Sequence, residues 1–281
     1  MSSTPYKFSL RAAAGALLVA SAPALWANHP VVLEGNCNVP PAGSSAAAVG
    51  VCGDWDGDGV IGVDEDNDGD RVFGTFAGAN GSAGANNNGT ITIVTSGVFA
   101  EPMLLTGNIT VQAAPGVEAN FDAVLQGDAG SGARMGMSGV TIDAASTRFV
   151  VLRNLTIRNW TTGIQVNGDS RALIENCTLE HNTNYGIWAS GDSQVLVDGS
   201  RVVATGRRVN PATGDFPSGM SPMPGTGIEF AETASGSVVG TTVTGSVGSG
   251  IATPSGKNFS VGPDLRQKNA VFGNGRDFSV N

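Results

Sequence analysis

The densest chemistry in the sequence is a run of carboxylates, DWDGDGVIGVDEDNDGD, over residues 54–70. Asp54, Asp56 and Asp58 alternate, so their side chains converge inside a tight loop. Gly59 supplies the bend and Val60 offers a backbone carbonyl. Glu65 closes the twelve-residue span with a carboxylate that can bind through both oxygens. A hard cation such as Ca2+ takes six to eight oxygen ligands, and this spacing provides them. A second run, Asp64, Asp66 and Asp68, comes directly after it, but Thr75 stands where its closing carboxylate belongs. The plain alternative is a solvated acidic linker. Alternating spacing and a Gly at the bend argue against it. The expected cofactor is therefore Ca2+. These residues and Asp70 hold eight carboxylates of a net charge of −9, so the rest sums to −9 + 8 = −1. Without a basic stripe to neutralise phosphates, nucleic acid is not an expected partner.

The carboxylate loop resembles the EF-hand loop, and the tandem arrangement resembles the calcium loops of dockerins and thrombospondin type 3 repeats. The resemblance covers about 17 residues, and the flanks lack clear EF-hand helices. It implies a compact calcium clip with a structural role, clamping an N-terminal arm to the repeats.

A second set of chemical residues lies further along. Trp160, His181 and Tyr185 fall near one bend of a repeated pattern. Gln165, Trp188 and Glu229 occupy equivalent outward positions in successive repeats. An insertion within residues 205–226 brings Arg207, Arg208 and Asp215 to the same corner. Aromatics with a carboxylate and amides suit sugar stacking, so Trp160, Gln165, Trp188 and Glu229 are the candidate ligand-binding residues. The alternative is that the insertion simply packs over the aromatics. A polysaccharide lyase needs a neutraliser for the uronate carboxylate and a base for the C5 proton. His181, Arg207 and Arg208 are candidates for those roles, with Tyr185 as the acid, but no motif fixes them. A glycoside hydrolase needs clustered carboxylates. Asp169, Asp192 and Asp198 come nearest, yet Asp169 and Asp192 sit in repeated Gly-Asp-Ser turns, where Asp commonly bonds local backbone. Two His and one spare Cys make a zinc site improbable.

The elements that must position these residues are repeats. FVVLRNLTIRNWTTGIQVNGDS, RALIENCTLEHNTNYGIWASGDS, QVLVDGSRVVATG with GTGIEF, and SVVGTTVTGSVGSGIA write one pattern four times. Asn154, Asn176, Gly199 and Gly240 open one step, and the Gly-Ile pairs at Ile164, Ile187, Ile228 and Ile251 close another. A period of 23 residues, interrupted once by 18, built from β-branched runs and Gly/Asn corners, predicts a parallel β-solenoid. Alternation then points Leu152, Ile174, Val197 and Val239 inward. Leu155, Cys177, Ser200 and Thr241 make a second inward column, and Ile157, Leu179, Val202 and Val243 a third. Val151, Leu173, Leu196 and Val238 form an apolar column outside, expected to lie under the arm through Val31, Val32 and Leu33. Arg153 with Glu175 and Arg158 with Glu180 are expected exposed ion pairs.

Residues 1–27 carry Lys7 and Arg11, an apolar centre and small residues before a cleavage site, which predicts a secretory signal. No apolar stretch is long enough to span a bilayer. The expected location is secreted or periplasmic. Residues 28–70 form the arm, in which Cys37 and Cys52 are expected to pair as a disulfide in an oxidising compartment. Residues 71–281 form the solenoid domain, opened by a short amphipathic capping helix. Its start, with Gly89, Ile91, Ile93, Gly97, Phe99 and Glu101, resembles right-handed parallel β-helix proteins of the pectate-lyase-like class. That resemblance implies an all-β right-handed parallel β-helix. It leaves activity open, since the architecture hosts lyases, hydrolases, epimerases and adhesins. The signature blocks of polygalacturonases are absent. Three readings remain: a secreted, calcium-stabilised protein binding a carbohydrate or cell-surface glycan; a lyase or epimerase on uronate glycans; and a structural or adhesive surface protein. Nothing in the sequence sets an oligomeric state.

Overall fold

The computed structural model describes residues 31–33, 72–73, 76, 79–80, 89–94, 96–99, 101–123, 138–206, 225–253 and 269–280. Within them the chain winds through three parallel sheets of eight, seven and seven strands. Each coil contributes one strand to each sheet. Thus Phe149–Arg153, Leu155–Arg158 and Thr162–Val166 make one coil, and Arg171–Glu175, Thr178–Glu180 and Tyr185–Ala189 the next. The register is in phase: Ile164 pairs with Ile187, Ile187 with Ile228, and Ile228 with Ile251. The insertion of the sequence repeat therefore leaves the stacking intact. Among the described residues no helix is long and apolar enough to cross a membrane.

Burial follows the alternation of β-branched and polar residues. Val150, Leu152, Ile157, Ile164, Ile174, Leu179, Ile187 and Val202 have no exposed surface. Each such side chain contributes roughly 1.5–3 kcal/mol by leaving water. The corners come from backbone sterics. Asn154, Asn176, Gly199 and Gly240 all adopt left-handed φ between 52 and 59°. A second left-handed column is written less legibly: Asn159, His181, Ala204, Gly245 and Gly273, with φ between 54 and 71°. Glycines 163, 186, 227 and 250 have a different reason. A Cβ on Gly186 would lie 2.5 Å from the Gly227 carbonyl oxygen, and one on Gly163 2.6 Å from that of Gly186. This is why Gly precedes Ile in every repeat.

One column of the core is polar. The Cys177 N–H donates to Ser200 Oγ at 3.1 Å, the Ser200 N–H to Thr241 Oγ1 at 3.3 Å, and the Thr241 N–H to Asn269 Oδ1 at 2.8 Å. Burial pushes the Cys177 thiol up to about 12, so it stays protonated and packs as a small core residue.

Three expectations change. Val238 pairs with Val197 and is buried, whereas Val239 pairs with Asp198 and is half-buried. Ser237 takes the outward position beside Leu196, so the apolar column is Val151, Leu173 and Leu196. The arm strand Val31–Leu33 does not cover that column. It pairs edge-on with Gly89–Ile93 and with Val72–Phe73, extending the first sheet at its N-terminal end. Finally, Arg158 pairs with Glu180 as expected, at 3.5 Å, but meets the unexpected partner Asp122 more closely, at 2.7 Å. The Arg153–Glu175 pair forms as expected.

At the N-terminal end the capping helix, expected over residues 70–79, does not include Val72–Phe73, which is a strand; helical backbone is described at Phe76, Ala79 and Asn80, and Phe76 and Ala79 are buried. Phe76 meets Phe121 edge-on at 6.1 Å, and Phe121 stacks on Phe99 at 4.9 Å. The Phe76 N–H donates to Glu101 Oε1 at 2.7 Å. These contacts close the core of the first coils, as an open solenoid end requires.

Candidate functional site

The third sheet presents the chemically richest face. Ile187 and Ala189 point into the core with no exposed surface, so Trp188 between them points out. Register stacks Thr141, Gln165, Trp188 and Glu229 in one outward column; Ala252, expected to continue it, keeps the register but is buried. Ser138, Thr162, Tyr185 and Thr226 form the neighbouring column. Rungs lie about 4.8 Å apart, the spacing at which side chains of adjacent coils touch.

Tyr185 and Trp188 lie nearly parallel, with ring centroids 5.8 Å apart and 19° between their planes. Both are half-buried. Two parallel rings held on one rigid strand offer an aromatic surface with a hydroxyl and an indole N–H at its edges, the amphipathic groups that recognition surfaces favour. Gln165 is fixed one rung below. It accepts from Ser138 Oγ at 2.6 Å and donates to Asn167 Oδ1 at 2.9 Å. An amide keeps a further N–H and a lone pair after making those bonds. Glu229 sits one rung above. Burial raises its carboxyl above the usual range, against a hydrogen bond from Thr226 that lowers it. Burial also raises the Tyr185 hydroxyl, and the Glu229 charge adds to that rise.

Of the sequence candidates, Gln165, Tyr185, Trp188 and Glu229 thus share one surface. Trp160 does not. It is wholly buried, donates from Nε1 to the Phe121 carbonyl at 3.0 Å, and packs where a Gly139 side chain would otherwise stand. It is a core anchor rather than a ligand platform. His181 occupies the second left-handed corner, its N–H donating to the Val203 carbonyl at 3.1 Å. Arg207, Arg208 and Asp215 lie outside the described residues. So do the proposed signal, Cys37, Cys52 and the calcium-loop residues Asp54, Asp56, Asp58, Val60, Asp64, Glu65, Asp66 and Asp68. Among the described residues no group of His, Cys, Asp and Glu is placed to hold a metal.

Sequence reasoning missed Asp122. Its side chain is nearly inaccessible, yet it accepts from Arg158 Nε at 2.7 Å and from Asn159 Nδ2 at 2.9 Å. The signal was the column Asp122, Arg158, Glu180 on the second sheet. A separation of 36 residues from Asp122 to Arg158 hid it, because that coil departs from the 23-residue period.

Residues 138–276 match the family model described as right handed beta helix region. The fold is a right-handed parallel β-helix. No curated protein matches the chain in sequence. Among solved structures, the β-helix is similar to the crystal structure of the pectin methylesterase from Aspergillus niger in deglycosylated form. That likeness has 12% sequence identity over 75% of this chain and 82% of the other, with a TM-score of 0.30. At that score it carries no argument about activity.

Proposed function

We propose that this β-helix protein is secreted and binds a glycan on its third-sheet face without transforming it. The observation that carries the reading is the Tyr185–Trp188 stack, outward on a rigid strand between the fixed Gln165 amide and the half-buried Glu229 carboxylate. Binding by such a surface needs no moving parts, since the core beneath sets its geometry. The raised Tyr185 hydroxyl is a weaker acid, which argues against it as the proton donor of a lyase. Calcium held by Asp54, Asp56, Asp58, Val60 and Glu65 stabilises the arm in this reading, with the Asp64, Asp66 and Asp68 run beside it.

The test is glycan titration of the mature protein, followed by calorimetry, with Trp188→Ala alongside. Binding lost in the variant while it still unfolds cooperatively supports the proposal. Growth of unsaturated-uronate absorbance with pectate, alginate or a glycosaminoglycan would replace it with lyase activity. Equal binding by wild type and Trp188→Ala would move the site elsewhere.

A further inference from the structure

The identity of the ligand can be narrowed, on the condition that the glycan-binding reading above holds. Among the described residues, carboxylates outnumber bases around the aromatic rings. Glu229 stands on the rung next to Trp188 in the same column. Where the third-sheet strands turn towards the first sheet, Asp143, Asp169, Asp192 and Glu232 succeed one another in successive coils, all exposed. The coil pairing that stacks Ile142, Val166, Ala189 and Phe230 places these turns along one edge of the face. Glu232 is fixed there, accepting from the Gly191 N–H at 2.8 Å. Against these five carboxylates the described bases are Arg148 and Arg171, which flank the same turns with Arg148 donating to the Thr106 carbonyl, and in the third-sheet strands Arg276, which pairs with Ser249 at the last coil. Arg276 stands two coils beyond the Glu229 strand, about 10 Å at the spacing of stacked strands. That exceeds the screening length of about 8 Å at physiological salt.

A sugar lying on Tyr185 and Trp188 therefore meets carboxylates at its edges. Hydroxyl groups can donate to Glu229 and use the spare donor and acceptor of Gln165. A uronate would set its carboxylate against Glu229 and the acidic edge, and like charges brought together at an interface cost several kcal/mol. We infer that the face selects an uncharged glycan and excludes polyuronates, with Glu229 as the residue that sets the selection.

Matched glycans that differ only in charge test this: methyl-esterified against de-esterified polygalacturonate, and cellulose oligomers against their C6-oxidised uronate forms. The expected result is an uncharged member bound at least roughly ten-fold more tightly than its charged partner, with the gap shrinking at high salt. Asp169→Asn with Asp192→Asn, both exposed turn residues, should tighten uronate binding and leave uncharged binding as it was. Glu229→Gln should narrow the gap further. Equal or tighter binding of the charged member by wild type overturns the inference while the glycan reading stands. So does a gap that neither variant changes. Binding of no member of either pair, with no heat of binding across a wider panel of neutral and acidic glycans, removes the glycan reading and this inference together.

Discussion

Glu229 ties the proposed site to stability. Its carboxyl is raised in the folded protein chiefly because burial disfavours the charged form. The folded state therefore holds this proton more tightly than the unfolded chain does. Its contribution to stability is full below the ordinary glutamate range and is lost as pH rises towards the folded value. Glu229→Gln should remove that slope. The variant is expected to gain melting temperature over wild type as pH is raised from acid to neutral, checked by thermal scans across that range. The two tryptophans make a sharper contrast. Trp160→Ala should cost about 3–5 kcal/mol, because it opens a cavity and removes the donor to the Phe121 carbonyl. Trp188→Ala should cost clearly less than that, because the ring keeps part of its surface in water and its loss opens no closed cavity. Urea unfolding with an unchanged slope measures both. Reversal of that order would make Trp188 the core anchor and Trp160 the surface ring.

Among the elements, the glycine corners and the acidic loop carry the strongest expectations. Gly186→Ala must push apart two coils, since the new methyl would lie 2.5 Å from both the Gly227 oxygen and Val202 Cγ1. A loss of several kcal/mol, or failure to fold, is expected. Gly168→Ala has the reverse character: left-handed φ of 62° but open space around the added methyl. It should lose about 1 kcal/mol. Equal effects would mean that close approach between coils does not decide the Gly-Ile motif. The loop over residues 54–65 belongs to this scale too. Extracellular loops of this kind bind calcium at about 10⁻⁴–10⁻³ M. Millimolar calcium should therefore raise the melting temperature, chelator should lower it, and Glu65→Gln should abolish the difference. An indifferent melting curve would return the run to the status of a solvated linker. The position of the arm was not legible, because Val31, Val32 and Leu33 suit an edge strand as well as a face. Backbone pairing at the exposed end of the first sheet decided it.

For the molecule as a whole, stability in a stack of coils is close to a sum of neighbouring interactions. Its two ends differ. Phe76 lies buried against the first coils, whereas Phe278 falls in the column of Ile251 and is still 53% exposed, with Phe272 at 54%. Hydrogen exchange should therefore be slowest through the coils of residues 149–203 and fastest in Arg276–Val280. Uniform protection would show that the last coil is covered in solution.

The sequence alone determined the repeat, the parallel stack and most inward positions, because each rests on local sterics: a branched residue every second place, and Gly or Asn where the chain turns. It also placed Gln165, Trp188 and Glu229 in one column, because a fixed period carries alternation from coil to coil. It did not separate Trp160 from Trp188. Both look like aromatics near a corner, and only the packing of Gly139 and the Phe121 carbonyl makes one of them core. It slipped by one residue at Val238 and Val239, where two identical side chains leave alternation without a contrast. Asp122 came only from tertiary structure. The coil that brings it to Arg158 and Asn159 breaks the period, and a buried charge is recognisable only by the partners folding supplies.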